Sequence, residues 1–281
     1  MQDVELEFVL PPEDLRPYVG LFYAFHTRTE DCFDDLERAG TAQLRFRLSP
    51  GHACYHFADG RVVEAPAVHL LGPTMGAVRT CVDGPVRVFG IGLSPAGWAA
   101  LVGSDASTLA DDCIDATPLL AVHADRLIAA LSRCSTPAAM VAKVEPWLRR
   151  QIGNGHGPSL AFSEAVDAWL AAAASPELCD LEDGTGLSRR QVERRCNAIY
   201  GAPPKLIARK YRALRAAVAM ASGQTMPIDG FYDQSHMIRE VKHFTGLTPR
   251  KMRERPGLLA QRTITQRRAL EGQVTVLVSD T

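Results

Sequence analysis

The stretch FYDQSHMIREVKHFTGLTPRKMRERP, Phe231 to Pro256, carries the clearest pattern in the chain. Its apolar residues recur at helical spacing and so share one helix face: Met237, Val241 and Phe244. The opposite face is basic and polar. Asp233 stands at the position of an N-cap acceptor, and Gly246 stands at that of a left-handed stop. The stretch predicts a capped helix over 234–244 with one core-facing side and one hydrogen-bonding side.

The same pattern occurs 45 residues earlier, in LSRRQVERRCNAIYGAPPK, 187–205. Its apolar residues align with those of the first stretch: Val192, Cys196 and Ile199. Ser188 and Gln191 have the spacing of a capping box. Between the two copies, 204–222 is helical in spacing and would span about 28 Å, close to the ~34 Å between successive major-groove faces on one side of DNA. The repeat therefore predicts two DNA-recognition helices joined by a long helix.

Residues from about 158 to 256 resemble the DNA-binding domain of the AraC family of bacterial transcription regulators. The most specific matching residues are the run Gly230-Phe231-Tyr232-Asp233-Gln234-Ser235-His236, followed by Phe244, Gly246, Thr248 and Pro249. The resemblance implies two helix-turn-helix units joined by a long helix. It also implies double-stranded DNA and RNA polymerase as partners, and a small-molecule effector and a homodimer as further expectations.

The DNA contacts are predicted from the outer faces of the two recognition helices. Arg190 and Arg194 are the first candidates for base contacts, because Arg matches guanine O6 and N7 bidentately. Further candidates are Asn197, Ser235, Arg239 and Lys242. Gln191 and His236 are expected to contact bases or phosphate. Contacts with phosphate, which position the protein without specifying sequence, are expected from Arg189, Lys205, Lys210 and Lys251.

The chain departs from the family pattern at two places. In the first unit, Glu182 stands where the family usually has Ala, within a predicted helix that also contains Gly184. In the second unit, the segment from Ser222 to Gly230 is shorter than the family pattern and contains Pro227. We therefore expect the second unit to be positioned less firmly than the first.

Composition and charge agree with a regulator rather than a membrane or secreted protein. The net charge is −1, but residues 1–157 carry −6 and residues 158–256 carry +4, so only the part assigned to DNA is basic. No signal peptide and no apolar run of about 18 residues is visible, which predicts a cytoplasmic protein without membrane contact. The seven cysteines form no CxxC pair, which predicts free thiols, no metal site and no cofactor.

The first 93 residues are predicted to form short strands, because Leu44, Phe46 and Leu48 alternate with arginines as in a half-buried strand. Asp59-Gly60 and Asp83-Gly84 are hairpin signals. The pattern predicts a small barrel or sandwich, and its position resembles the cupin-like sensor domain of AraC-type regulators. The fold class is therefore α+β: a small β-barrel, cupin-like domain with helices, then an all-α domain with two helix-turn-helix units.

The first half of the chain contains candidate residues for two kinds of ligand site. His52, His56 and Glu64 suggest a metal, but residues four apart on a strand lie about 13 Å apart and cannot share one ion without a bend. An organic ligand in the barrel would be lined by aromatic residues, although aromatic strand positions are usually core. The candidates are Phe46, Tyr55, Phe57 and Phe89.

The predicted domain division follows the glycine-rich run GNGHGP, 153–158. Residues 1–152 form the sensor domain, whose helices over 118–134 and 137–152 either make a dimer contact or pack on their own sheets. Residues 159–256 form the DNA-binding domain, and 257–281 form a tail of unassigned role. The chain is thus predicted to be a sequence-specific regulator and not an enzyme. The alternatives are a cupin-like metal-dependent enzyme with a helical appendage, or a helical interaction module that has lost DNA binding.

Overall fold

The computed structural model describes residues 4–120, 124–153, 158–221 and 229–254, together with Leu259 and Thr263. The strands are β1 (Val4–Val9), β2 (Val19–Thr27), β3 (Phe33–Glu37), β4 (Gln43–Arg47), β5 (Ala53–His56), β6 (Val62–Glu64), β7 (Val68–Leu71), β8 (Val78–Val82), β9 (Val86–Leu93) and β10 (Cys113–Asp115). The helices are α1 (Pro95–Leu101), α2 (Thr117–Leu120), α3 (Ala124–Ser132), α4 (Pro137–Ile152), α5 (Pro158–Ala172), α6 (Leu178–Thr185), α7 (Arg189–Tyr200), α8 (Pro204–Ala221), α9 (Gln234–Thr245) and α10 (Pro249–Glu254). The α+β class is confirmed. We call 4–152 the sheet part and 158–254 the helical part.

The strands form two antiparallel sheets. One sheet has six strands in the order β1-β2-β9-β4-β7-β10, and the other has four in the order β3-β8-β5-β6. Apolar residues of both sheets share one buried cluster, so the sheets pack face to face. In the described part of the chain no strand pairing joins the two sheets into a closed barrel. The N-terminal part is therefore a sandwich of two open sheets, with helices added.

The two hairpin predictions had different outcomes. Asp59-Gly60 lies in the turn between β5 and β6, which pair as a hairpin, so that prediction is confirmed. Asp83-Gly84 lies between β8 and β9, which belong to different sheets, so a hairpin there is wrong. The chain crosses between the sheets at this point, and a Cβ at Gly84 would lie 2.1 Å from the carbonyl oxygen of Thr29. The glycine therefore serves a close backbone approach rather than a hairpin turn.

Helices cover the outer face of the six-stranded sheet. The apolar face of α4 is buried in one cluster with Phe22 and Phe89 of that sheet, through Val144, Trp147 and Leu148. These helices therefore pack on their own sheet, as one of the two alternatives predicted. The helix predicted over 137–152 is confirmed. Of the helix predicted over 118–134, the described residues form α2 and α3, and residues 121–123 lie outside the described ranges.

The other face of the six-stranded sheet is covered by the four-stranded sheet. Strand β4 is consequently buried on both sides. Leu44 and Phe46 face the helices, and Arg45, between them, faces the other sheet and is 7% exposed. The alternating pattern predicted a strand with one solvated face, and this is wrong for Arg45. Both faces of β4 are buried, and Arg45 is retained because Glu37 and two polar neighbours, Gln43 and Tyr55, satisfy its guanidinium.

The helical part consists of α5 to α10, with α8 between the two predicted units. Helix α8 begins and ends within one residue of the predicted range 204–222, and α9 begins and ends within one residue of the predicted range 234–244. Most of the predicted linker 153–158 and nearly all of the tail 257–281 lie outside the described residues. None of the described helices has the length and apolar character that crossing a membrane requires.

Candidate nucleic-acid interface

The first helix-turn-helix unit consists of α6 and α7. Helix α6 forms despite Gly184, and it ends at Gly186, whose φ of 64° is left-handed. The capping box at the start of α7 is present: the amide oxygen of Gln191 accepts from the backbone N–H of Ser188 at 2.9 Å. Val192 and Cys196 are fully buried. The buried side of α7 and its cap thus fix the helix by local chemistry, as the sequence predicted.

The opposite face of α7 is open to solvent. Exposed residues on or beside this face include Arg189, Arg190, Gln191 and Arg194, and Asn197 is half-buried. Arg189 lies 3.3 Å from Glu193 within the helix, an exposed pair that contributes little to stability. The amide oxygen of Gln191 is engaged in the cap, so this residue can offer DNA only its nitrogen. The face therefore presents several exposed hydrogen-bond donors on one side of the helix.

The second recognition helix, α9, has the same construction. Asp233 accepts from the backbone N–H of His236 at 2.6 Å, which confirms the predicted N-cap. Met237, Val241 and Phe244 are fully buried. The predicted DNA-facing residues Ser235, Arg239 and Lys242 are exposed. The segment 222–228, on which the expected looseness of this unit depends, lies outside the described residues.

His236 has a local role at the start of α9. Its Nδ1 lies 3.2 Å from the backbone nitrogen of Tyr232, and its ring meets Phe231 edge-on at 5.8 Å between centroids. The ring is half-buried. Because Nδ1 accepts the Tyr232 N–H, Nε2 is the ring nitrogen that can make a contact with DNA. This arrangement fits a single phosphate or base contact better than a bidentate one.

Helix α8 connects the two units and, at 18 residues, is about 27 Å long. Arg209 of α8 binds Glu240 of α9 through two hydrogen bonds of 2.9 and 2.8 Å. The Arg209 hydrogen bonds hold the pKa of Glu240 below its ordinary value. Arg212 stacks over the Phe231 ring at 4.9 Å. These contacts fix the angle between α8 and the second recognition helix.

Lys210 is the predicted phosphate contact that the structure contradicts. Its side chain lies under the sheet part, only 4% exposed, and its ammonium donates to the carbonyl oxygens of Gly40 at 3.1 Å and Thr74 at 3.3 Å. Burial lowers its pKa to about 8, although the Asp111 carboxylate acts in the opposite direction. In this arrangement Lys210 joins the two parts of the chain. The other predicted phosphate contacts, Lys205 and Lys251, are exposed.

The sheet part also contacts the C-terminal end of α9. The last carbonyls of a helix have no partner within it. Here the N–H of Ala39 donates to the carbonyl of Phe244 at 2.7 Å, and the N–H of Ala77 donates to that of His243 at 3.0 Å. Loops of the sheet part therefore complete the hydrogen bonding of the second recognition helix. Helix α9 is therefore held in place by loop residues next to β3 and β8.

A cavity of about 620 Å³ lies between the two sheets and extends to the helical part. Its walls are mostly apolar and include Leu6, Leu21, Phe25, Phe33, Val86 and Val88 from the strands. Helix α5 contributes Asp167, and helix α8 contributes Lys210, Tyr211 and Leu214. A volume of this size holds a small organic molecule. Because both parts of the chain line the cavity, an occupant would touch both.

A buried polar network lies in the cavity wall. Arg45 donates to Glu37 at 2.9 Å and to the Tyr55 hydroxyl at 2.8 Å. The Tyr55 hydroxyl lies 2.7 Å from Nε2 of His69, and Nδ1 of His69 lies 2.8 Å from the Pro66 carbonyl. Burial lowers the pKa of His69 to about 3, and Arg45 adds to this effect, so the ring is neutral and accepts from Tyr55.

The charges of this network cancel within the wall. Burial acts to raise the pKa of Glu37, but Arg45 outweighs burial and holds that pKa below its ordinary value. Glu37 is therefore a carboxylate paired with the Arg45 guanidinium. Gln43 accepts from the Tyr23 hydroxyl at 2.6 Å on the same wall. This network can offer hydrogen bonds to a ligand without presenting it with an unpaired charge.

Of the four aromatic residues predicted to line a ligand site, only Tyr55 lines the cavity. Phe46 and Phe89 face the helical layer on the opposite side of the six-stranded sheet, fully buried. Phe57 packs in the core between the sheets. Those three candidates are wrong. For Phe46 and Phe89 the reason is that strand period decides the side, and the sequence did not say which face of the strand was the cavity face.

The histidines considered for a metal are divided by the structure. His52 and Glu64 form an exposed pair at 3.1 Å. His56 lies apart from that pair, with its Nε2 3.6 Å from the Cys54 sulfur. The set His52, His56 and Glu64 therefore does not converge on one point. A different group does so, Cys54, His56 and Cys81, which the search for CxxC pairs missed.

Two helices with exposed basic faces, joined by one long helix, have the arrangement that the sequence predicted for a DNA-binding domain. Residues 181–255 match the family model of a helix-turn-helix domain. The chain therefore carries a helix-turn-helix domain and is a DNA-binding regulator. Residues 7–115 match a second family model, described as a domain of unknown function (DUF6597). No curated protein matches the chain in sequence.

Several solved structures are similar to the chain over most of its length. The 1.65 Å structure of ToxT from Vibrio cholerae is 11% identical with a TM-score of 0.45, covering 81% of this chain and 96% of that one. The wild-type ToxT structure with bound unsaturated fatty acid is 8% identical with a TM-score of 0.46, covering 81% and 93%. The AraC-like transcriptional activator CuxR is 14% identical with a TM-score of 0.31, covering 79% and 88%.

Proposed function

We propose that the chain binds a specific DNA site through α7 and α9, and that a small molecule in the cavity controls this binding. Arg190 and Arg194 contact bases from α7, with Asn197 beside them. On α9 the residues that face the DNA are Ser235, Arg239 and Lys242. Phosphate contacts come from Arg189, Lys205 and Lys251. The two helices face successive major-groove turns, since α8 sets them about one DNA turn apart.

The observation that carries the proposed control is the shared wall of the cavity. Residues of the sheets and residues of α5 and α8 line the same space. A ligand can shift a conformational equilibrium only by its difference in affinity for the two states. A ligand in contact with both parts acquires such a difference when the parts move relative to each other. The sheet part would in this way alter how α8 and α9 are presented to DNA.

The lining indicates the class of ligand. Most of the wall is apolar, and the polar groups of Arg45, Gln43 and Tyr55 already bond to one another. We infer a mainly apolar small molecule with one polar group.

The proposed domain division keeps the predicted bounds: 1–152 is the sensor domain, 153–158 the linker, 159–256 the DNA-binding domain and 257–281 the tail. RNA polymerase contact, a homodimer and action in the cytoplasm belong to the same proposal.

The first experiment selects bound fragments from random DNA with the full-length chain. Enrichment of one motif with two half-sites about one turn apart supports the proposal. Recovery of DNA without any common motif would contradict base-specific binding, and no recovery at low salt would favour the interaction-module alternative.

The second experiment tests the cavity with 8-anilinonaphthalene-1-sulfonate, a fluorescent probe with an aromatic body and one anionic group. Val88→Trp places a large ring on the cavity wall, and Val62→Trp places the same ring on an exposed position of β6 as the matched control. Probe fluorescence and operator affinity are measured together. Loss of probe binding in the Val88 variant alone supports the cavity as the site. Equal probe binding in both variants, each folded by circular dichroism, would place the probe elsewhere.

A further inference from the structure

The outer face of the four-stranded sheet carries a group of sulfur and nitrogen ligands. Cys54 and His56 are two residues apart on β5, so they point to the same side of the sheet. Tyr55, between them, points to the cavity on the other side. Cys81 of β8 lies directly opposite Cys54 in the antiparallel register. The three side chains therefore meet on the face that is turned away from the cavity.

The distances within this group suit a metal ion. One ligand atom of each of the three residues lies within 4.8 Å of the others, and the Cys54 sulfur lies 3.6 Å from Nε2 of His56. With zinc–sulfur and zinc–nitrogen bonds of about 2.3 and 2.0–2.1 Å at a tetrahedral angle, the expected sulfur–nitrogen separation is about 3.6 Å. The Cys54–His56 pair therefore has the separation that one tetrahedral ion requires.

The surroundings of the group also suit a bound cation. All three ligands are half-buried, and the cysteines are reduced. Asp34 of β3 lies opposite Cys81 in the register and is held by a salt bridge from Arg79. Cys32, which is exposed, lies near enough to interact electrostatically with the Cys81 thiol.

We propose that Cys54, His56 and Cys81 form a binding site for one thiophilic d10 metal ion, Zn²⁺ or Cu⁺. Thiolate sulfur and imidazole nitrogen are ligands that both ions prefer, and neither ion requires an octahedral shell. The site is separate from the cavity and from the DNA-binding face. The proposal does not depend on the proposed effector, and either one can fail alone.

The test uses the full-length chain, reduced and freed of metal, in competition with a chromophoric chelator. One arm titrates Zn²⁺, and a second, anaerobic arm titrates Cu⁺. The variants are Cys54→Ser, Cys81→Ser and His56→Ala, and Cys179→Ser is the matched control, because Cys179 is exposed on α6 of the helical part. Circular dichroism of each metal-free variant checks that it is folded.

We expect one ion per wild-type chain in at least one arm. Affinity should fall by more than about 100-fold in each of the three site variants, since loss of an outer-shell partner alone costs about 10–100-fold. The Cys179 variant should bind like the wild type. The proposal is overturned if the protein takes neither ion from the chelator, or if the Cys54 and Cys81 variants bind the ion like the wild type. It is also overturned if Cys54 and Cys81 form a disulfide in air but bind no metal when reduced.

Discussion

The Lys210 ammonium donates to the carbonyl oxygen of Gly40 at 3.1 Å, so the middle of α8 is hydrogen-bonded to the sheet part. Two further hydrogen bonds tie the end of α9 to Ala39 and Ala77. The helices that hold the predicted DNA-binding face are thus contacted by loops that adjoin the strands of the cavity wall. A ligand that shifts the sheet part would therefore also shift α8 and α9 through these contacts. The first prediction tests the Lys210 contact.

Lys210→Met should weaken the contact between the two parts without changing the salt dependence of DNA binding. Its loss leaves the carbonyls of Gly40 and Thr74 without their donor, at a cost of about 1–3 kcal/mol in the free energy of unfolding. The exposed Lys205→Met is the control and should flatten the salt slope by about one unit. Urea unfolding and operator titration at several salt concentrations measure both effects. A flattened slope for Lys210→Met would show that its ammonium reaches phosphate when DNA is bound.

Arg194→Ala should relax specificity at one or two base pairs of the selected operator. Loss of a bidentate guanine contact costs about 1–3 kcal/mol of binding free energy for the matching base. Arg150→Ala, an exposed arginine at the end of α4, serves as the control and should leave binding unchanged. The measurement is operator affinity for all single-base variants of the half-site. An equal loss for every sequence would assign Arg194 to a phosphate.

The first unit should contribute more base specificity than the second. Its recognition helix has a complete capping box and a supporting helix, α6, of which Leu181 is buried. The segment before α9 is short and contains Pro227. An error of about 1 Å in the supporting structure is enough to spoil bidentate geometry. We expect Arg239, Lys242 and Arg250 to contact mainly phosphate. Base-by-base substitution across the operator checks this, and equally sharp discrimination in both half-sites would contradict it.

Asp167→Asn should remove one pH dependence of stability. Burial raises the pKa of Asp167 from 3.8 to about 6, against the opposing hydrogen bond from Tyr200. The folded chain therefore holds this proton more tightly than the unfolded chain. The resulting stabilisation is complete below pH 3.8 and is lost as the pH rises to about 6.

Urea unfolding at a series of pH values measures this effect as the difference between variant and wild type. Between pH 3.8 and 6 the variant should lose less stability than the wild type as the pH rises. Asp180→Asn, at an exposed position of α6, is the control and should follow the wild type. Parallel curves for the Asp167 variant and the wild type would mean that Asp167 is solvated and titrates normally.

The recognition helices were predictable because their signals are local. Period 3.6 on one face, the Ser188–Gln191 capping box and Asp233 before α9 are all read within a dozen residues. The repeat of the pattern 45 residues apart and the resemblance of the run from Gly230 to His236 then pointed to the family. None of these inferences needed to know what packs against the helices.

The side chains whose roles were mispredicted depend on distant partners. Lys210 follows the polar pattern of an exposed helix position, and it is buried because a loop 170 positions earlier covers it. Arg45 alternates with apolar residues as if it faced water, and it is buried because the second sheet covers that side of β4. A periodic pattern shows which residues share a face, but not what the face meets.

The cavity and the metal-ligand group arise from strand register. Cys54 and His56 at i and i+2 of one strand were a usable signal, but Cys81, 27 positions further along the chain, joins them only through the pairing of β5 with β8. The cavity in turn depends on how closely two sheets and α8 approach one another. Helix caps and amphipathic faces are short-range properties and were predictable from the sequence. Burial, register and cavities are set by long-range packing, whose free energy no local pattern encodes.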